Sequence, residues 1–274
     1  VKCFAKTHPG NVRDHNEDAI GWDDKLALAV LADGMGGHAS GEVASDICRT
    51  TIMQRVGEGE ALTAAVLQAH AEVLRAAAQD QARNGMGSTV VVARANQGNY
   101  EIAWVGDSRA YLWRDGTLTQ LTRDHSYLEW LITTGQLNEQ DARNHPQKNI
   151  VTQSIGLGDP KPDLVRGRLH SGDRILLCSD GLTDELTDTE IAALCRQYAD
   201  SGELVDALVN QALIHGGRDN VSVMVSEFEN LQVEIEPDAT MEFEIPRNPW
   251  RAVVVGVVAA ALMSLLVMAY FLNL

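Results

Sequence analysis

The chain has 274 residues, 45% of them hydrophobic, and a formal net charge of −16 at pH 7. That is enough apolar material for one large domain with a substantial core, and the acidic balance argues against nucleic acid as a partner, since a phosphate backbone needs clustered Lys and Arg. Cys3, Cys48, Cys178 and Cys195 are widely spaced and form no CxxC pair, which suits reduced thiols better than a disulfide framework or a zinc site.

In chain order, the N-terminal VKCFAKTHPG carries no apolar run of the secretory type, so no signal peptide is expected. LALAVLA, ending at Ala32, reads as a buried strand that delivers Asp33 and a Gly-rich turn. Two Ala-rich segments, about 41–55 and 61–83, predict helices with apolar faces. Strand-like runs follow: GSTVVVARA, NYEIAWVGD, SRAYLWRDGTLTQL with Asp115-Gly116 as its turn, and RILLCS leading to Asp180. Between them, residues 133–158 mix polar residues with Gly and Pro without a period, and read as a flap over a site. Helices are predicted at 187–198 and 202–215, and Asp219-Asn220 opens a last strand, NVSVMVSEF. Strand runs flanked by helix pairs, without βαβ alternation, predict an α+β fold with antiparallel sheets.

The recurrent feature is a carboxylate at the end of an apolar run or in a Gly-rich turn: Glu17 and Asp18 in RDHNED, then Asp33, Asp107, Asp180 and Asp219. Each alone reads equally as a turn, because Asp-Gly pairs favour turns for backbone reasons. Repeated in the same setting they suggest convergence, and several carboxylates can converge only if hard cations neutralise them. Arg13 is either a surface ion-pair partner of Glu17 or a fork for phosphate oxygens. Gly34, Gly36, Gly37 and Gly41 permit close backbone approach but lack the spacing of a nucleotide loop. No GxSxG or cysteine-phosphatase setting supplies a nucleophile. The composition and these residues predict a multi-metal hydrolase.

The ordered set RDHNED, ADGMGGHASGE, GMGSTVV, VGDSRAYL, LTRDHS, VTQSIG, LLCSDGLTDEL and GGRDNVSV resembles the bacterial branch of the metal-dependent, type 2C (PPM) serine/threonine protein phosphatases, from about residue 10 to 225. The resemblance implies a four-layer sandwich of two antiparallel β-sheets flanked by helix pairs. It further implies two core Mn²⁺ or Mg²⁺ ions, with a third, weaker one. By motif, Asp33 would bridge the two core ions, the Gly34 carbonyl would bind one, Asp180 and Asp219 would complete the other, and Glu17 and Asp18 would serve partly through water. Asp107 would hold the third ion, with the flap near Asn149 close to it, and Arg13 would hold the phosphate. The implied reaction is hydrolysis of phosphoserine and phosphothreonine on proteins by a hydroxide shared between the ions, opposing a bacterial Ser/Thr kinase. Met35 stands where eukaryotic members have a His proposed as general acid, which leaves that role open; a metal-bound water or His38 could serve. A catalytically silent module that binds phosphoproteins at the membrane, and a small-molecule phosphatase, are the rival readings.

The C-terminal part differs in kind. Residues 252–272, AVVVGVVAAALMSLLVMAYFL, carry no charge and would span about 30 Å as a helix, which matches a bilayer core. Trp250, Tyr270 and Phe271 suit interfacial anchors, and Arg247 and Arg251 before the span predict a single-pass inner-membrane protein with its domain in the cytoplasm. The predicted division is a phosphatase domain at 1–227, an acidic, Pro-containing linker at 228–249 and a transmembrane anchor at 250–274.

Overall fold

The computed structural model describes residues 1–36, 40–138, 141 and 145–228. Eleven strands among them are β1 (Lys2–His8), β2 (Asp18–Asp23), β3 (Leu28–Met35), β4 (Gly87–Ser88), β5 (Val90–Asn96), β6 (Asn99–Val105), β7 (Arg109–Arg114), β8 (Thr117–Gln120), β9 (Asp163–Arg168), β10 (Asp173–Cys178) and β11 (Val221–Phe228). They pair antiparallel in two sheets, ordered β1-β11-β10-β7-β8 and β2-β3-β5-β6-β9, the short β4 adding to β3. The helices are α1 (Ser40–Gly57), α2 (Leu62–Gln79), α3 (Tyr127–Thr133), the single turn α4 (Asp180–Thr183), α5 (Asp188–Gln197) and α6 (Ser201–His215).

Strand periodicity builds the layers. On β3, Leu28, Val30 and Ala32 pack with α1 and α2 residues such as Cys48, Ile52, Val66 and Val73, while Ala29 and Leu31 face the other sheet. On β10, Leu176 and Cys178 pack under α5 and α6, while Ile175 and Leu177 point between the sheets. Three separate apolar clusters thus fill the three interfaces of a helix, sheet, sheet, helix stack, the architecture that the motif resemblance implies.

The predicted 61–83 helix stops at Gln79: Asp80 is extended and its side chain caps a separate 3₁₀ turn, Gln81–Arg83. A Thr187–Glu190 capping box starts α5 and Asp200 caps α6, each cap worth about 1 kcal/mol. Asp115 and Gly116 both take positive φ at the β7–β8 hairpin, as a tight two-residue turn requires. The N-terminal segment is a strand that sequence reading leaves unassigned; it pairs along its length with β11, Lys2 opposite Glu227 and His8 opposite Val221. The predicted linker beyond Phe228 and the 252–272 span lie outside the described residues. Among those described, no helix is long and apolar enough to cross a membrane.

Candidate metal centre

The same period-2 alternation that packs the inter-sheet core also ends it. Continuing the inward face of β3 past Ala29 and Leu31 gives Asp33; continuing that of β10 past Ile175 and Leu177 gives Ser179; on β11 the inward position two residues before Met224 is Ser222. At one edge of the sandwich the inward positions therefore change from aliphatic to hydroxyl and carboxylate. Ser179 and Ser222 both donate to Asp18 Oδ2, at 2.9 and 2.6 Å, and Thr7 and Ser222 share a 2.7 Å hydrogen bond. Thr89 Oγ1 accepts from the Asp33 N–H at 3.2 Å and pairs with Ser108 at 2.7 Å. Asp18 and Asp33 face each other in register on β2 and β3.

The pairing of β1 with β11 brings the loop after β1 beside the loop before β11. Asn11 N–H donates to the Gly217 carbonyl at 2.6 Å, and Gly10, at φ +83°, lies so close to the Asp219 carbonyl that a Cβ would sit 2.2 Å from it. Asn220 closes the junction, accepting from the Glu17 N–H at 2.7 Å and donating to the Pro9 and His15 carbonyls. As a result Arg13 Nη2 lies 2.7 Å from Asp219 Oδ2. Gly34 and Gly41 press together against Glu17: a Cβ on Gly34 would meet the Gly41 carbonyl oxygen at 2.2 Å, and one on Gly41 would meet Glu17 Oε1 at 2.7 Å. Of the four glycines that sequence reading assigns to close approach, Gly34 and Gly41 are required here by packing within the protein, Gly36 is less crowded, and Gly37 lies outside the described residues.

The fold thus brings Glu17, Asp18, Asp33, Asp180 and Asp219 to one edge, with Asp107 beside them. Burial and then the charges of Asp18, Asp180, Asp107 and Asp219 hold the Asp33 carboxyl well above the usual range, and burial with Asp107, Asp184, Asp219 and Asp18 does the same for Asp180. Burial pushes Asp18 up to about 6 against the pull of its two serines, and pushes Asp107 up to about 6, with Asp124 adding to it. Glu17 is also raised, burial outweighing the Gly41 N–H and Arg13.

Among the described residues, no three Asp, Glu, His or Cys side chains close on one point tightly enough to hold an ion as they stand. The carboxylates turn to protein donors instead, Asp18 to its serines and Asp219 to Arg13. The donor set nonetheless fits hard divalent ions. It is all oxygen, its members raise one another's pKa by like-charge repulsion, and the buried Asp18 Oδ1 has no hydrogen-bond partner, although unpaired buried polar atoms are costly.

The protein phosphatase 2C family matches residues 11–213. The chain belongs to that family. The serine/threonine phosphatase stp of Listeria monocytogenes is 36% identical over 236 residues, covering 81% of this chain and 94% of that one. The crystal structure of the Mycobacterium tuberculosis serine/threonine phosphatase PstP/Ppp superposes with a TM-score of 0.79 at 34% identity, over 83% of this chain and 98% of that one. The catalytic domain of a serine/threonine protein phosphatase PstP in complex with two manganese ions gives 0.74 at 32% identity, over 82% of this chain and 96% of that one.

Several residues that hold the site escaped sequence reading: Ser179, Ser222, Thr89, Asn220 and His125. For the serines and Thr89 the available signal is parity, since Ser222 within β11, Ser179 just after β10 and Thr89 just before β5 continue the inward alternation where an aliphatic residue is expected. His125 fixes the loop that carries Asp107: its Nδ1 accepts from the Gly106 N–H at 3.2 Å, its own N–H donates to the Gly106 carbonyl at 2.9 Å, and Nε2 lies 3.1 Å from Asp163. Asn149 lines the same cavity as Asp107, and the segment after it is tied down by Tyr127 N–H to the Ile150 carbonyl and Thr152 N–H to the His125 carbonyl. Met35 ends β3; His38 lies outside the described residues.

Proposed function

We propose that the chain is a metal-dependent protein phosphatase that hydrolyses phosphoserine and phosphothreonine on proteins, with Mn²⁺ or Mg²⁺ as cofactor. The observation that carries this reading is the convergence of Asp18, Asp33, Asp180 and Asp219 at one sandwich edge in a chain of the 2C family. Asp33 and the Gly34 carbonyl, with Asp180 and Asp219, would hold two ions; Glu17 and Asp18 would act partly through water, and Asp107 would serve a third, weaker site. Bound there, divalent ions supply Lewis acidity that polarises a phosphate and lowers the pKa of water.

The chain's own residues supply position and charge. Arg13 offers a planar guanidinium to two phosphate oxygens, and with its side chain 54% exposed it can swing from Asp219 to a ligand. Ser179 and Ser222 hold Asp18 Oδ2, while Oδ1 has no hydrogen-bond partner within the protein. The backbone bonds of Gly106 to His125 fix Asp107 at the rim. No side-chain nucleophile is needed, in keeping with the burial of Cys48, Cys178 and Cys195.

The uncharged 252–272 run supports a membrane tether, Arg247 and Arg251 before it support placement of the phosphatase domain on the cytoplasmic side, and the resemblance to bacterial members supports a Ser/Thr kinase as the opposing enzyme. A tether of that kind raises the local concentration around membrane-bound substrates without further contacts. The deciding experiment is hydrolysis of a phosphothreonine peptide by the full chain with Mn²⁺ added or chelated. Turnover that requires the ion is expected. A folded chain with no turnover on any phosphopeptide would shift the reading to a silent phosphoprotein-binding module.

A further inference from the structure

Beside the carboxylate cluster lies a cavity of about 580 Å³ that shares Asp107 and Asp180 with it, so a substrate whose phosphate reached the cluster would lay neighbouring residues over this opening. One wall is apolar, formed by Leu128 and Ile132. The Arg and Lys side chains on the cavity wall are already spent on neighbouring carboxylates: Arg109 forks onto Asp124, with Nη2 2.7 Å from Oδ2, Lys148 holds Asp184 at 2.6 Å, and Arg218 pairs with Glu185 at 2.9 Å. Asp188 is different. Its Oδ1 receives one neutral hydrogen bond, from the Tyr111 hydroxyl at 3.1 Å; the committed Arg109 stands 3.9 Å away, and the Asp188 side chain is 53% exposed.

We propose, on the basis of the phosphatase reading, that this cavity receives a lysine or arginine side chain flanking the phosphorylated residue of the protein substrate. The aliphatic stem would lie on Leu128 and Ile132 and the charged head would reach Asp188. An acidic side chain in the same place would meet a carboxylate answered only by the Tyr111 hydroxyl and the distant Arg109, so discrimination comes from repulsion as well as attraction. The −16 charge of the chain acts in the same direction at longer range.

The test is a set of phosphothreonine peptides in which Arg, Ala or Glu is placed in turn at each position near the phosphoresidue, cleaved by the full chain with Mn²⁺. At one or more positions kcat/KM should favour Arg over Glu by roughly ten-fold, the scale of one well-placed charge pair at a partly exposed site. Asp188→Asn should shrink that ratio to about two- or three-fold, and Asp188→Lys should invert it. Hydrolysis of p-nitrophenyl phosphate, which has no flank, should stay at the parent level in both variants and also reports that they fold. Equal cleavage of all flanks, a preference for Glu, or an Arg preference that survives Asp188→Lys would overturn the subsite while leaving the phosphatase reading standing. Failure to cleave both p-nitrophenyl phosphate and every peptide would remove the phosphatase reading itself.

Discussion

The two ends of β10 carry aspartates in opposite electrostatic circumstances. At its start, Asp173 is 1% exposed and fully answered: Arg114 donates to both oxygens, at 2.9 and 2.6 Å, and the His170 N–H donates at 2.7 Å. Burial raises its pKa, but these donors and the Arg114 charge outweigh burial and leave it below the ordinary value. Just past the other end, Asp180 faces Asp107, Asp184, Asp219 and Asp18, and stays well above it. One aspartate closes a structure; the other is left in want of a cation. A carboxylate marks a functional site not by being buried but by being buried among its own kind.

The largest effect expected from breaking that contrast is at the unanswered end. Asp180→Asn or Asp33→Asn should lower metal-supported phosphopeptide turnover by roughly a thousand-fold, the scale of several kcal/mol of lost charge stabilisation. The thermal midpoint measured in chelator should not fall, because the change removes repulsion. Parent-level turnover in either variant would end the assignment of these residues to the ions. At the answered end the outcome reverses. Asp173→Asn should keep turnover and cost about 2–3 kcal/mol in urea unfolding, since it leaves Arg114, 28% exposed, without its charge partner.

The same contrast predicts opposite responses to pH. Asp173, with its pKa depressed, contributes stability that is present above the unfolded carboxylate value and lost as pH falls through the folded one. Asp18, raised to about 6, binds a proton in the folded chain that the unfolded chain has released, so in chelator its contribution is lost as pH rises from about 4 to 6. Unfolding curves across that window should show Asp18→Asn flattening the decline by on the order of 2 kcal/mol. A pH dependence identical to the parent's would mean that Asp18 is ionised throughout.

Much of this was legible from strand ends. LALAVLA and RILLCS announce buried strands, and their terminal aspartates therefore emerge from a core at an edge. What stayed hidden depends on contacts distant in sequence. β1 has mostly half-buried positions on an edge strand, so KCFAKTH shows no clean alternation, and its partner is the last strand of the sheet. Asn220 looks like half of a turn until its bonds to Pro9, His15 and Glu17 are seen. The break at Asp80 is hidden in the sequence because the Ala-rich pattern runs on into Gln81–Arg83 while the helical backbone does not.

The smallest effect belongs to Arg13, for which sequence reading left an ion pair and a phosphate fork as alternatives. The structure contains an ion pair, made with Asp219 rather than with Glu17, yet with the two side chains 54% and 33% exposed, solvent screens it and its worth to stability is about 0.5 kcal/mol or less. Arg13→Ala should therefore leave urea unfolding within that margin. If Arg13 also forks onto the substrate, the same variant should raise KM for a phosphothreonine peptide by about ten-fold, with kcat little changed, as expected for loss of a charge-assisted bidentate contact. Arg13→Lys keeps the charge and loses the fork, so it should recover only part of the affinity. An unchanged KM in Arg13→Ala would confine this residue to its pairing with Asp219 and leave phosphate recognition to the ions alone.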